Sequence, residues 1–237
     1  MIHRLASLTL ATTLFASAQD PAPATPVKPS VEKIGETTFR IGKVTFDQKS
    51  RQIRFPTKVN MTEGLLEYLV VTQGGKVHES LLITEASPTD INLAITLLRY
   101  PPSRELIPLP APSGGASDNY PKVPAEVKAA ARFLIEVEWL DNGQVRRLPV
   151  SDWIQHAVKT TAMHGSPWIY NGSDIHEGKF VAEMTGDVLA IYLDPAAIIN
   201  YAGTDNNNDD VWIPFPKRVP TAGTEITLIM SPFSSNK

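Results

Sequence analysis

Short runs of alternating apolar and polar residues, separated by polar turn sequences, recur from Val31 to the end of the chain. A period of two is typical of β-strands, because successive side chains of a strand point to opposite faces. About ten such runs occur, against three short segments with helical periodicity. The pattern predicts an α+β fold, mainly antiparallel β-sheet with two or three short helices, in a single compact domain over residues 31–237.

A hairpin and a helix have the clearest local signals. Asn142-Gly143 lies between two β-rich runs, 132–139 and 144–150, and Asn-Gly favours a two-residue hairpin turn. Ser87-Pro88-Thr89-Asp90 combines an N-cap residue, a proline at the first helical position and an acidic residue in the first turn. This combination predicts a helix over 88–99.

Other segments are expected to be regular on weaker signals. Residues 76–84 and 179–184 alternate as strands do, whereas 151–159 and 194–200 begin with capping residues that favour short helices. The run 38–47 reads as a strand that is broken at Gly42-Lys43, and the change in the parity of the alternation there predicts a β-bulge.

The N-terminus has the pattern of an export signal. A basic start at Met1–Arg4 precedes an apolar run at Leu5–Phe15 and the small residues Ala16-Ser17-Ala18. The apolar run is too short to span a membrane, which needs about 20 residues. A buried amphipathic helix is disfavoured because the polar residues in this run form no stripe. We therefore expect a signal peptide over 1–18, cleaved after Ala18.

Residues 19–30, QDPAPATPVKPS, predict a Pro/Ala-rich disordered linker, because its four prolines exclude a helix or a strand ladder. The chain contains no cysteine, so no lipid can be attached behind the signal and no membrane anchor is expected after cleavage. The expected location is therefore periplasmic or secreted.

A second proline-rich segment lies within the folded part, where residues 101–124 include seven prolines. Loops of this length are usually either functional lids or disordered insertions. The sequence leaves both interpretations open, together with a plain surface loop.

Composition excludes several classes of protein. The chain has 22 Lys+Arg against 25 Asp+Glu, a net charge of -3, so no basic excess favours nucleic-acid binding. Without cysteine it has no disulfide, no iron–sulfur cluster, no Cys-ligated zinc and no thiol nucleophile.

Two long segments resemble a known family. Residues 61–98, with the core GGKVHESLL, and residues 167–200, PWIYNGSDIHEGKFVAEMTGDVLAIYLDPAAIIN, are similar to the YdjY-domain family of exported bacterial proteins. The resemblance implies no established activity. Some relatives have a ferredoxin-type description, which does not transfer to a chain that lacks cysteine.

The candidate catalytic residues are His78, Glu79 and Ser80, which supply a base, a carboxylate and a hydroxyl. In a regular strand, His78 and Glu79 would point to opposite faces and could not share one metal ion. His164 and His176 are further metal-ligand candidates if the fold brings them close to His78.

The densest cluster of oxygen ligands is the Asp/Asn-rich sequence of residues 205–210. Asp205, Asn207, Asp209 and Asp210 are candidate calcium ligands, although the glycine and the final glutamate of an EF-hand loop are missing. The two interpretations are a weak irregular calcium site and a solvated polar loop.

The favoured function is an uncharacterised, exported, non-catalytic binding module whose partner is an envelope protein or a small ligand, with no cofactor. The alternative is an envelope metal-assisted hydrolase that uses His78 and Glu79 together with His164 or His176.

Overall fold

The computed structural model describes residues 30–233. The signal peptide predicted over 1–18, its cleavage after Ala18, and the linker predicted over 19–30, except Ser30, lie outside the described residues.

Sixteen β-strands and three short α-helices form the described chain. The strands are β1 (Val31–Lys33), β2 (Thr38–Ile41), β3 (Val44–Asp47), β4 (Gln52–Val59), β5 (Tyr68–Thr72), β6 (Ser80–Thr84), β7 (Arg132–Asp141), β8 (Gln144–Pro149), β9 (Ile154–His156), β10 (Trp168–Tyr170), β11 (Ile175–His176), β12 (Lys179–Phe180), β13 (Asp187–Ala190), β14 (Ile199–Tyr201), β15 (Trp212–Pro214) and β16 (Glu225–Pro232). The helices are α1 (Pro88–Leu97), α2 (Ala125–Ala130) and α3 (Val181–Thr185).

Eight of these strands close into a barrel in the order β4, β16, β7, β10, β14, β13, β5 and β6. The barrel closes where β6 returns to β4 through the pairs Lys58↔Ile83 and Val59↔Leu82. Two neighbouring pairs, β13–β14 and β5–β6, are parallel and the others are antiparallel, so the barrel is mixed.

The predicted α+β fold with mainly antiparallel sheet was therefore wrong. Alternation identifies strands, but it does not specify which distant strands pair, and closure depends on that pairing. β4 illustrates the reason: on one edge its first residues pair with β3, which leaves its last two residues free to pair with β6. The helices are minor additions, the longest having ten residues.

The remaining strands extend the barrel. β1, β2 and β3 continue the sheet outward from β4, and β8 pairs with β7. The bulge predicted at Gly42-Lys43 was wrong, because Ile41 pairs with Val44 and the two residues between them form a tight hairpin turn. Gly42 has a φ of 52°, which glycine adopts at little cost.

The strongest local predictions were confirmed. The helix expected over 88–99 is α1, and Ser87 Oγ accepts a hydrogen bond from the backbone N–H of Asp90 at its N-terminus. The hairpin expected at Asn142-Gly143 is β7–β8.

Three weaker predictions were wrong, and the strand expected over 76–84 was confirmed only for its second part, β6. Residues 76–84 begin with a 3-10 turn, 151–159 contain a 3-10 turn and β9, 179–184 contain β12 and most of α3, and 194–200 form a turn that leads into β14. In two of these segments, pairing overrides the local helical signal, because β9 pairs with β15 and β14 lies between β10 and β13.

The core fills the barrel with side chains from alternating strand positions, as barrel geometry requires. Ile53 and Phe55 of β4, Phe133 and Val137 of β7 and Leu228 of β16 are all buried in one cluster. α1 packs beside the barrel against β3 and α3. No helix within residues 30–233 has the length and apolar content needed to cross a bilayer.

The proline-rich segment 101–124 is attached to the barrel at its beginning. The Ser103 N–H donates to the Tyr170 carbonyl over 2.8 Å, and the Arg104 guanidinium binds both carboxylate oxygens of Asp174 at 3.0 and 3.2 Å. Further along, Pro110 and Ala116 form an isolated antiparallel bridge.

Candidate functional site

A groove of about 580 Å³ runs between the barrel and the β7–β8 hairpin. Its lining comes from strands that are far apart in the chain: residues 56–58 of β4, 83–84 of β6, 138–140 of β7 and 225–227 of β16, with Val145 of β8. Closure of the barrel brings these strands side by side and so creates the groove.

The hairpin forms an apolar wall of this groove. Asn142 and Gly143 have φ values of 49° and 79°, as a type I′ turn requires, and the turn sets the register of the two strands. Leu140 pairs with Val145 in that register, so the two side chains share a face of the hairpin. They are 68% and 67% exposed, although large apolar side chains are usually covered.

Trp139 fastens the hairpin to the core. Its ring packs edge-on against Trp153 with 5.0 Å between the centroids, and Trp153 is fully buried. An aromatic pair of this geometry contributes about 0.5–1.5 kcal/mol beyond the area that it buries. The apolar wall formed by Leu140 and Val145 is therefore anchored to the core through the neighbouring Trp139.

The charges along the groove neutralise one another. Each charged side chain of the lining forms an ion pair with an opposite charge. The pairs are Lys43–Glu85, Lys58–Glu225 at 3.6 Å, and Arg54–Glu138. Of these six residues, only Arg54 does not itself line the groove. Three cations thus face three anions. The groove has no net charge with which to attract an ionic ligand.

A chain of polar side chains lies elsewhere on the barrel. Lys76 Nζ donates to the Tyr68 hydroxyl over 2.6 Å, and this hydroxyl donates to Asp194 Oδ2 over 3.0 Å. Burial, followed by the negative charges of Asp194 and Asp187, raises the pKa of Tyr68 well above its usual value. The phenol therefore keeps its proton and acts as a fixed hydrogen-bond donor.

The carboxyl groups of Glu67 and Glu79 lie near this row of polar side chains. Burial, followed by the negative charge of the nearby Glu79, raises the pKa of Glu67. Glu67 lies within an apolar run, and sequence reasoning missed it because its partner comes from a distant turn.

The structure brings two of the three predicted catalytic residues, His78 and Glu79, together and directs Ser80 elsewhere. His78 and Glu79 lie on a 3-10 turn rather than a strand, so their side chains can meet, with His78 Nε2 3.0 Å from Glu79 Oε1. Ser80 is completely buried, and its hydroxyl donates to the Lys76 carbonyl over 2.7 Å. This hydroxyl faces a backbone acceptor and not a base.

The other candidate histidines have local partners of their own. His164 Nδ1 lies 3.1 Å from Ser166 Oγ, and His176 Nε2 lies 4.0 Å from Glu177 Oε1. In residues 30–233 no group of three His, Asp or Glu side chains is arranged to hold a metal ion. The metal-assisted alternative stays a prediction.

Of the candidate calcium ligands, Asp205 lies beside two basic side chains, Lys159 and His156. Its Oδ2 lies 2.9 Å from Lys159 Nζ and 3.5 Å from His156 Nε2. The hydrogen bond from Lys159 is the main cause that lowers the pKa of Asp205. The buried His156 accepts two backbone N–H bonds on Nδ1, which directs its other nitrogen toward Asp205.

The remaining ligand candidates, Asn207, Asp209 and Asp210, are exposed on the same loop. Calcium binding by this loop stays a prediction.

The fold and the groove together define a class: a closed, mixed eight-stranded β-barrel with an apolar, charge-neutral groove on its side. The sequence model of the YdjY domain matches residues 44–231, so the chain belongs to the YdjY domain family, as its two characteristic segments indicated. No curated protein and no solved structure matches the chain.

Proposed function

We propose that this protein is an exported, non-catalytic binding module that holds an uncharged ligand with an apolar face in the groove beside the β7–β8 hairpin. The observation that carries the proposal is the pairing of two exposed apolar side chains, Leu140 and Val145, with a lining whose charges cancel.

The size of the groove favours a small molecule. Ligand pockets of proteins measure about 300–1,000 Å³ and are mostly apolar with a few polar groups. A volume of about 580 Å³ falls within that range. Leu140, Val145 and Pro56 offer apolar contacts, while Thr224 and Thr227 offer hydroxyl groups at the border. This composition suits an uncharged amphiphile.

Export is the second part of the proposal, and the N-terminal sequence supports it. A short basic start, an apolar run and small residues before position 19 are the features of a cleaved signal peptide. Mass spectrometry of the mature protein tests this point: we expect a chain that begins at Gln19, and a mature chain that retains Met1 would contradict export by this route.

The binding part is tested with N-phenyl-1-naphthylamine, a neutral apolar dye whose fluorescence rises when it leaves water. We expect saturable binding to the wild type, and the nearby Trp139 supplies a second signal through energy transfer. Burying an apolar side chain is worth about 1.5–3 kcal/mol, so Leu140→Ser should weaken the affinity about tenfold or more.

Val158→Ser is the matched control, because Val158 is 80% exposed and does not line the groove. It should leave dye affinity unchanged. Equal affinity of wild type, Leu140→Ser and Val145→Ser would show that the dye binds elsewhere and would refute the groove as the binding site.

A further inference from the structure

A second cavity, of about 530 Å³, has the opposite electrostatic character to the groove. It lies where the turn after β3 meets the C-terminal end of α1, and its lining comprises Gln48, Arg51, Leu97, Leu98, Arg99 and Ala130. Two guanidinium groups and one amide therefore share a small cavity with aliphatic side chains.

Neither arginine is neutralised. Among residues 30–233, six other arginines form ion pairs with carboxylates, whereas Arg51 and Arg99 form none. Arg51 is half-buried and Arg99 is exposed, although the chain has an excess of acidic residues that could have paired with them. Two free guanidinium groups in one cavity therefore form a local positive site on an acidic protein.

Arg51 is held in a fixed orientation. Its guanidinium carbon lies 3.9 Å from the centroid of the Tyr100 ring, and the Tyr100 hydroxyl donates to the Arg51 carbonyl over 2.7 Å. Tyr100 is itself buried against Phe133, with 4.3 Å between the ring centroids. Because the ring occupies only the face of the guanidinium, the N–H groups on its edge stay free to donate.

Arg99 occupies a position that usually belongs to glycine. The N–H of Arg99 donates to the Thr96 carbonyl and that of Tyr100 to the Ile95 carbonyl, the bonding pattern of a Schellman motif at the end of α1. Arg99 is the left-handed residue of that motif, with a φ of 60°, and Arg51 also has a φ of 57°. Side chains other than glycine adopt this conformation at a cost of about 1–2 kcal/mol.

A cation at the end of a helix also interacts favourably with the helix dipole, by about 0.3–1 kcal/mol. That alone would explain Arg99, but it does not explain a second unpaired arginine in the same cavity or the partly exposed Leu97 beside it, which is 41% exposed.

We infer that this cavity binds a small carboxylate ligand with a short aliphatic chain. The N–H fork of a guanidinium matches the two oxygens of a carboxylate, and such charge-assisted hydrogen bonds are about twice as strong as neutral ones. Gln48 adds an amide donor, and Leu97, Leu98 and Ala130 cover the chain. The site lies apart from the groove, and the inference does not depend on the proposed function.

The experiment is a calorimetric titration of the full protein with octanoate. Octanol, acetate and inorganic phosphate serve as comparison ligands that lack the charge, the chain or the carboxylate. We expect octanoate to bind most tightly, and higher salt to weaken it, since the site is partly exposed.

Arg99→Gly separates binding from folding. Glycine suits the left-handed position, so the variant should fold at least as stably as the wild type and yet bind octanoate about tenfold more weakly. Arg51→Lys, which keeps the charge but loses the fork, should also weaken binding. Arg218→Gln is the matched control: this arginine also lacks an ion pair within residues 30–233 and stacks on Phe215 at 3.7 Å.

Two results would overturn the inference. One is the absence of octanoate binding to the wild type at millimolar concentration. The other is an Arg99→Gly variant that loses stability but keeps its octanoate affinity, since this is the outcome expected if Arg99 only compensates the helix dipole. Leu140→Ser should leave octanoate affinity unchanged, so failure of this inference can be distinguished from failure of the groove proposal.

Discussion

Replacement of Asn200 by alanine tests the polar network that joins β14 to its surroundings. Asn200 is completely buried, and its Nδ2 donates to Asn171 Oδ1 over 2.7 Å and to the Asp194 carbonyl over 2.9 Å. Its Oδ1 accepts the Asp194 N–H over 2.8 Å. The Asn200→Ala variant removes all three hydrogen bonds and leaves their partners inside the protein without them.

The magnitude follows from these contacts. A buried hydrogen bond contributes about 1 kcal/mol net, and each partner left unpaired costs about 1–3 kcal/mol unless it finds a substitute. Local rearrangement will satisfy part of the network, so we expect the free energy of unfolding to fall by about 3–4 kcal/mol. This is a large share of the about 5–15 kcal/mol that stabilises a typical domain.

Urea denaturation followed by tryptophan fluorescence measures this loss, as a lower transition midpoint with an unchanged slope. Asn207→Ala is the matched control, because Asn207 is exposed, and it should change the free energy of unfolding by less than about 0.5 kcal/mol. A loss below about 1 kcal/mol for Asn200→Ala, with the slope unchanged, would refute the argument that this network supports the barrel.

Three further substitutions test other parts of the fold by the same denaturation assay. Gly186→Ala would place a Cβ 2.7 Å from Gly75 N at a φ of 80°, so it should cost about 2–4 kcal/mol; Gly178→Ala has a similar φ but open space and should cost only about 1 kcal/mol. Equal losses for the two would contradict the close approach. Burial raises the pKa of Asp187, whose Oδ1 lacks a hydrogen-bond partner within residues 30–233. A raised carboxyl pKa stabilises the fold at acidic pH and loses that effect as pH rises through the folded-state pKa. Asp187→Asn should therefore raise the free energy of unfolding by about 1 kcal/mol at pH 7 and should not raise it below pH 3.8. A difference between variant and wild type that does not change with pH would contradict this explanation. Ser87→Ala removes the cap of α1 and should cost about 1 kcal/mol; no loss would show that the cap is dispensable.

The sequence predicted local structure correctly where residues close together in the chain determine that structure. The cap at Ser87 and the Asn142-Gly143 turn act within a few residues, and both α1 and the β7–β8 hairpin lie where they were expected. Residues 194–200 failed for the opposite reason: their helical signal is local, but β14 gains more by pairing with β10 on one side and β13 on the other.

The candidate site shows the same division. Sequence identified His78 and Glu79 by residue type, and only the 3-10 turn revealed that adjacent side chains there can touch. It did not identify the groove, because Leu140 and Val145 look like ordinary strand residues. Their exposure becomes meaningful only when the hairpin stands beside strands from the other end of the chain.

The sequence by itself determined that the chain is rich in strands, where α1 begins, where the β7–β8 hairpin turns, and that the chain has the characteristic segments of its family. These properties depend on side-chain periodicity and on turn chemistry, and both are encoded within short segments of the sequence. The tertiary structure alone decided that the strands close into a mixed barrel, that the charges of the groove cancel, and that Arg51 and Arg99 share a cavity in which no carboxylate of residues 30–233 pairs with them. Those features depend on which distant residues become neighbours, and that is settled only when the whole set of strands packs around one core.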